Sequence, residues 1–73
     1  MAPVPATHRI ELRGNVSERM LAPYSTEFVI TRDGPLTTMT GVVKDAAHLH
    51  GILTHLTGVG IEVHSVSPLA PIE

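Results

Sequence analysis

Cysteine and tryptophan are both absent from these 73 residues. Their absence excludes disulfides, iron–sulfur clusters, thiolate zinc sites and thiol catalysis. Aromatics are scarce, one Phe and one Tyr, so stacking platforms for bases have almost nothing to be built from. No excess of positive charge exists either. Five Lys and Arg stand against seven Asp and Glu, a net charge of −2, and Arg9, Arg13, Arg19, Arg32 and Lys44 are scattered. Nucleic acid is therefore not an expected partner. No apolar run approaches the ~20 residues of a membrane span, and no membrane partner is expected. The opening Met1–Thr7 lacks the basic and apolar stretches of a secretory signal, so a cytoplasmic protein is the default expectation. What remains is 42% apolar and 16% charged, the make-up of a globular chain, with room for one domain.

Residues 1–7 are punctuated by proline and read as a flexible lead-in to a single domain over 8–68, with 69–73 as a loose tail. From His8 to Val16 the pattern alternates. Ile10, Leu12, Gly14 and Val16 share one side and Arg9, Glu11 and Arg13 the other, as in a half-buried strand. Ser17 offers a helix cap and Glu18 suits the first turn, so Arg19–Ala22 predicts a short, irregular helix before Pro23. Thr26–Arg32 and Leu36–Val43 predict two strands around an Asp33-Gly34-Pro35 turn. Asp45 predicts the cap of a longer helix, with Leu49, Ile52, Leu53 and Leu56 on one stripe and Gly58 as its left-handed stop. Ile61–His64 alternates as a fourth strand that Pro68 closes.

Strand, short helix, strand, strand, long helix, strand is the order of an α+β ferredoxin-like βαββαβ sandwich. Both helices would lie on one face of a four-stranded antiparallel sheet. The expected core is Ile10, Leu12, Met20, Leu21, Phe28, Ile30, Met39, Leu49, Ile52, Leu53, Leu56, Ile61 and Val63. Only one helix is well patterned, so the sheet is incompletely covered and its other face is open. A sheet so placed in a chain this small calls for company, most simply a homodimer or a protein partner. Arg9, Glu11, Arg13, Glu62 and His64 would present charges of both signs on the open face, as a self-pairing interface needs.

Five histidines invite a metal reading. His48 and His55 are seven residues apart on the long helix, about 10 Å, where metal pairs need three or four, and His50 points away from both. No carboxylate stands beside them as a third ligand, so no metal site is expected within one chain; a His-based site shared between subunits stays open as the third reading. No cofactor or catalytic residue is expected. RNA-recognition domains need aromatics on the central strands, metal chaperones need Cys-x-x-Cys, and acylphosphatase-like enzymes need a glycine-rich loop that Gly14-Asn15-Val16 does not complete. Gly51, inside the long helix, costs ~1 kcal/mol against alanine and predicts close packing there.

Leu49 to Val66 resembles the helix-to-strand half of ACT-type regulatory domains, with Leu49, Ile52, Leu56, Gly60, Ile61, Val63 and Ser65 on matching positions. The resemblance covers about a quarter of the chain. It implies a non-catalytic regulatory module, and a small anionic or amino-acid-like ligand held at the loop-to-helix junction by Asp45, Ala47 and His48, where free amides attract anions. Ala47 departs from the family's glycine, and Glu62 from its strand asparagine. The whole chain is also similar to small stand-alone actinobacterial proteins of unknown function through Thr37, Thr40, Gly41, Asp45, Ala47, Leu49, His50, Gly51, Gly60, Ile61, Val63, Ser65 and Val66.

Overall fold

A computed structural model describes residues 6–69; the expectations for residues 1–5 and 70–73 lie outside the described residues. The elements run β1 (Ala6–Arg13), a 3₁₀ turn (Ala22–Tyr24), β2 (Phe28–Asp33), β3 (Leu36–Val43), α1 (Ala46–Gly58) and β4 (Val63–Pro68). The fold is α+β. One four-stranded sheet has the order β2-β3-β1-β4, and every neighbouring pair is antiparallel.

Alternation fixes which side of the sheet is dry. Ile10 and Leu12 on β1, and Thr37, Met39 and Val43 on β3, turn to the helix side and are buried. Phe28, Leu21, Val16, Ile52, Leu56 and Ile61 complete the core. Ile30, Leu49, Leu53 and Val63, expected within it, pack at its margin half-buried. Gly41 lies in the inward row of β3 opposite Phe28, whose ring occupies the space above it. A Cβ there would meet Glu27 O at 2.6 Å and Phe28 Cδ2 at 2.7 Å. The β2–β3 hairpin closes through Gly34 at φ +62, and since Pro35 cannot take a positive φ the turn is of type II′.

The helix α1 starts as expected, with Asp45 extended and its Oδ1 accepting from the His48 amide at 2.8 Å. Its end differs. Gly60, not Gly58, takes the left-handed conformation at φ +90. The Ile61 amide returns to Leu56 O at 2.9 Å and the Gly60 amide to Thr57 O at 3.1 Å. That pair of bonds is a Schellman motif, and it seats Ile61 rather than Val59 against Leu56. Gly51 has nothing within 4 Å of where a Cβ would stand, so the expected close packing does not occur.

The larger difference is in the first crossover, which forms no α-helix, so the element order is not βαββαβ. Successive amides bond three residues back: Leu21 to Glu18, Ala22 to Arg19, Tyr24 to Leu21, Ser25 to Ala22 and Glu27 to Tyr24. Pro23 has no amide to donate to Arg19, which keeps the chain in tight single turns. At three residues per turn Leu21 is buried in the core, Tyr24 packs at its margin, and Met20 is 39% exposed. Two side chains then hold the crossover on the sheet. Thr37 Oγ1 accepts from the Val16 amide at 3.1 Å and donates to Gly14 O at 2.8 Å. Arg32 donates to Asn15 Oδ1 at 2.6 Å and Val16 O at 2.7 Å. Among the described residues no helix is long and apolar enough to cross a membrane.

Candidate functional site

Among the described residues, the side of the sheet away from α1 carries no covering layer. Its rows follow from the register. Val29, Thr40, Arg9 and Ser67 lie side by side, then Thr31, Thr38, Glu11 and Ser65, then Asp33, Leu36 and Arg13. Threonine dominates the middle because β-branched polar residues suit a pleated surface that faces water.

The five residues expected to make an interface do share this face. The ladder between β1 and β4 shifts between Glu11 and Leu12, so His64 is an extra residue in a bulge. The bulge brings Glu62 and His64 to one arginine. Arg13 Nε donates to Glu62 Oε2 at 3.1 Å, and Arg13 Nη2 donates to His64 Nδ1 at 3.1 Å. The arginine has no acceptor, so the imidazole nitrogen facing it is unprotonated. Glu11 Oε1 accepts from Ser65 Oγ at 2.6 Å. Arg9 stands apart, exposed, with no polar side-chain partner among the described residues. The Arg13–Glu62 pair is more than half exposed on both sides and adds little stability. Its effect is to fix where the charges stand.

The expected ligand site is arranged differently from an open anion cradle. The Asp45 carboxylate already occupies the mouth of α1, and His48 Nδ1 accepts from the Lys44 amide at 3.0 Å. Ala47 is exposed beside them. A carboxylate at that position repels the anion that bare amides would attract.

Two features have no signal in sequence spacing. The Tyr24 hydroxyl and His55 Nδ1 are 2.6 Å apart, and the Tyr24 ring stands edge-on to Phe28 at 6.2 Å. These contacts tie the 3₁₀ turn to α1. Burial raises the Tyr24 hydroxyl above the ordinary value of 10.0. Between that turn and β2 lies a shallow groove of about 490 Å³ lined by Glu18, Ala22, Ser25, Phe28, Val29, Ile30 and Arg32. Arg32 is engaged by Asn15, Val16 and Glu18, and Ser25 Oγ by Ala22 O, so the groove offers shape more than free polar groups. Among the described residues no three His, Asp or Glu side chains come together as a metal site.

No curated protein and no solved structure gives a significant match to the chain. A family model matches residues 7–67, from the second residue of β1 to the last but one of β4. The chain belongs to the family described as Domain of unknown function (DUF8691).

Proposed function

We propose that this protein is a non-catalytic binding module that works as a homodimer. The observation that carries the reading is the single helix. One α-helix of 13 residues, about 20 Å long, lies over a four-stranded sheet; among the described residues no element covers the other face, and only the 3₁₀ turn lies beside β2. The strand order β2-β3-β1-β4 supports a ferredoxin-like sandwich whose first helix is reduced to a 3₁₀ turn. A second copy supplies what that reduction removes.

Magnitudes set the strength expected. Four strands about 4.8 Å apart and some six residues long span roughly 19 by 20 Å, on the order of 400 Å² a side. A standard stable interface buries about 800 Å² from each partner. Association through the open face alone is therefore weak and dependent on concentration. The face carries charges of both signs, Arg9, Glu11, Arg13 and Glu62, as a self-complementary two-fold contact requires.

A second reading is that the open face docks on a larger enzyme as an interaction subunit. It is favoured by the fixed polar array of Glu11–Ser65 and Arg13–Glu62–His64, which suits an exchangeable partner. Amide spectra recorded over a dilution series distinguish the two. Self-association moves resonances of β2 or of the open face with concentration while the outer positions His50 and Thr54 of α1 stay fixed. Spectra identical at every concentration contradict the homodimer and leave the docking subunit.

A further inference from the structure

The two outer strands of the sheet are unlike. The edge of β4 is broken by the bulge at His64 and ends in Pro68, two devices that discourage another strand from pairing. The edge of β2 has neither. Its sequence Phe-Val-Ile-Thr-Arg-Asp contains no proline, glycine or lysine, and its pairing to β3 runs without a shift. In an antiparallel ladder every second residue turns its amide and carbonyl outward. Among the described residues no backbone bond outside the ladder engages Phe28–Asp33. Val29 is 66% exposed on the same strand, and the groove beside the 3₁₀ turn runs along it.

We propose that β2 pairs antiparallel with β2 of a second copy, across a two-fold axis at Val29, and so continues the sheet to eight strands. The assignment rests on the homodimer reading and names its surface. The occupant follows from the pattern of the strand. Residues opposite each other must share a face, so only registers that pair odd with odd and even with even are allowed. With the axis at Val29, the exposed valine meets its own copy, Phe28 meets Ile30, and Glu27 meets Thr31. With the axis at Ile30, Glu27 opposes Asp33, two like charges, and Phe28 opposes Arg32. With the axis at Thr31, Val29 opposes Asp33 and Ile30 opposes Arg32. Of these three, the first alone buries apolar surface against apolar surface without opposing like charges.

The test is the solution mass of the full chain, of Val29→Lys, of Val29→Asp, and of the two variants mixed in equal amounts. Val29 points to solvent, so both variants keep the fold, which unchanged amide shifts in α1 and β1 verify. The wild type is expected to approach about 15.6 kDa, twice the 7.8 kDa of one chain. Each variant alone should dissociate at least tenfold more readily, because like charges meet at the axis. The mixture should regain the dimer. Variants that dimerise like the wild type would falsify the edge assignment and leave the homodimer standing. Dissociation with no recovery on mixing overturns the axis at Val29, and a wild type that is monomeric throughout overturns the homodimer itself.

Discussion

Thr37 is the one fully buried polar side chain among the described residues, and it is saturated. Its hydroxyl joins the Val16 amide to the Gly14 carbonyl, so it stands in for the missing crossover helix in satisfying backbone groups at the end of β1. Thr37→Val keeps the shape and leaves both groups without a partner. It should destabilise by about 1–3 kcal/mol in urea unfolding, while Thr37→Ser retains most of the wild-type stability. Gly51 predicts the opposite sign. It is exposed, mid-helix, with open space where a Cβ would go, so Gly51→Ala should stabilise by about 0.5–1 kcal/mol. A gain of that size, read from the same denaturant curves, confirms that nothing in the protomer packs on that face of α1. Tyr24 adds a pH dependence. A hydroxyl whose value is raised by folding holds its proton more tightly in the native state. Its contribution is intact below the unfolded value near 10 and is lost as pH rises through the folded one. Stability of the wild type should therefore fall more steeply in alkali than that of Tyr24→Phe.

Among the elements, α1 depends most on one local contact. Asp45 Oδ1 caps it, and Asp45→Ala should cost about 0.5–2 kcal/mol, measured as a loss of helical signal at lower denaturant. The start of this helix and the whole of β3 are legible in the sequence because their signals are local. Asp45 lies immediately before the leucine stripe, and Pro35 immediately precedes Leu36 where β3 begins. The C-terminus of α1 is less so. Gly58 and Gly60 both fit a left-handed stop, and the choice is made by Ile61, which must reach Leu56. The crossover is least legible of all. A cap-like Ser17, an acidic Glu18 and an apolar Met20-Leu21 pair read as the opening of a helix. The bonds that anchor the entry to the segment at Gly14, Asn15 and Val16 come from Arg32 and Thr37, far along the chain. The open face was the most readable part of the site, since alternation alone puts Arg9, Glu11 and Arg13 together. Tyr24 and His55, 31 residues apart, leave no trace in spacing.

At the scale of the whole molecule, the loss of one helix leaves one flank of the sheet thinly covered. The core is a single layer between the sheet and α1, with Leu21 and Tyr24 as the only anchors from the 3₁₀ segment. Chains near this size seldom reach more than ~3–5 kcal/mol from such a core unless something is added, and here no disulfide exists to add it. Association adds it by mass action, so unfolding midpoints should rise with protein concentration. Sedimentation equilibrium over about 1 µM to 1 mM, a range that brackets weak dimers, tests this most directly. The account predicts an average mass that climbs from 7.8 kDa toward twice that value as concentration increases. A mass fixed at 7.8 kDa across the range, in a chain that nonetheless unfolds cooperatively, would contradict it.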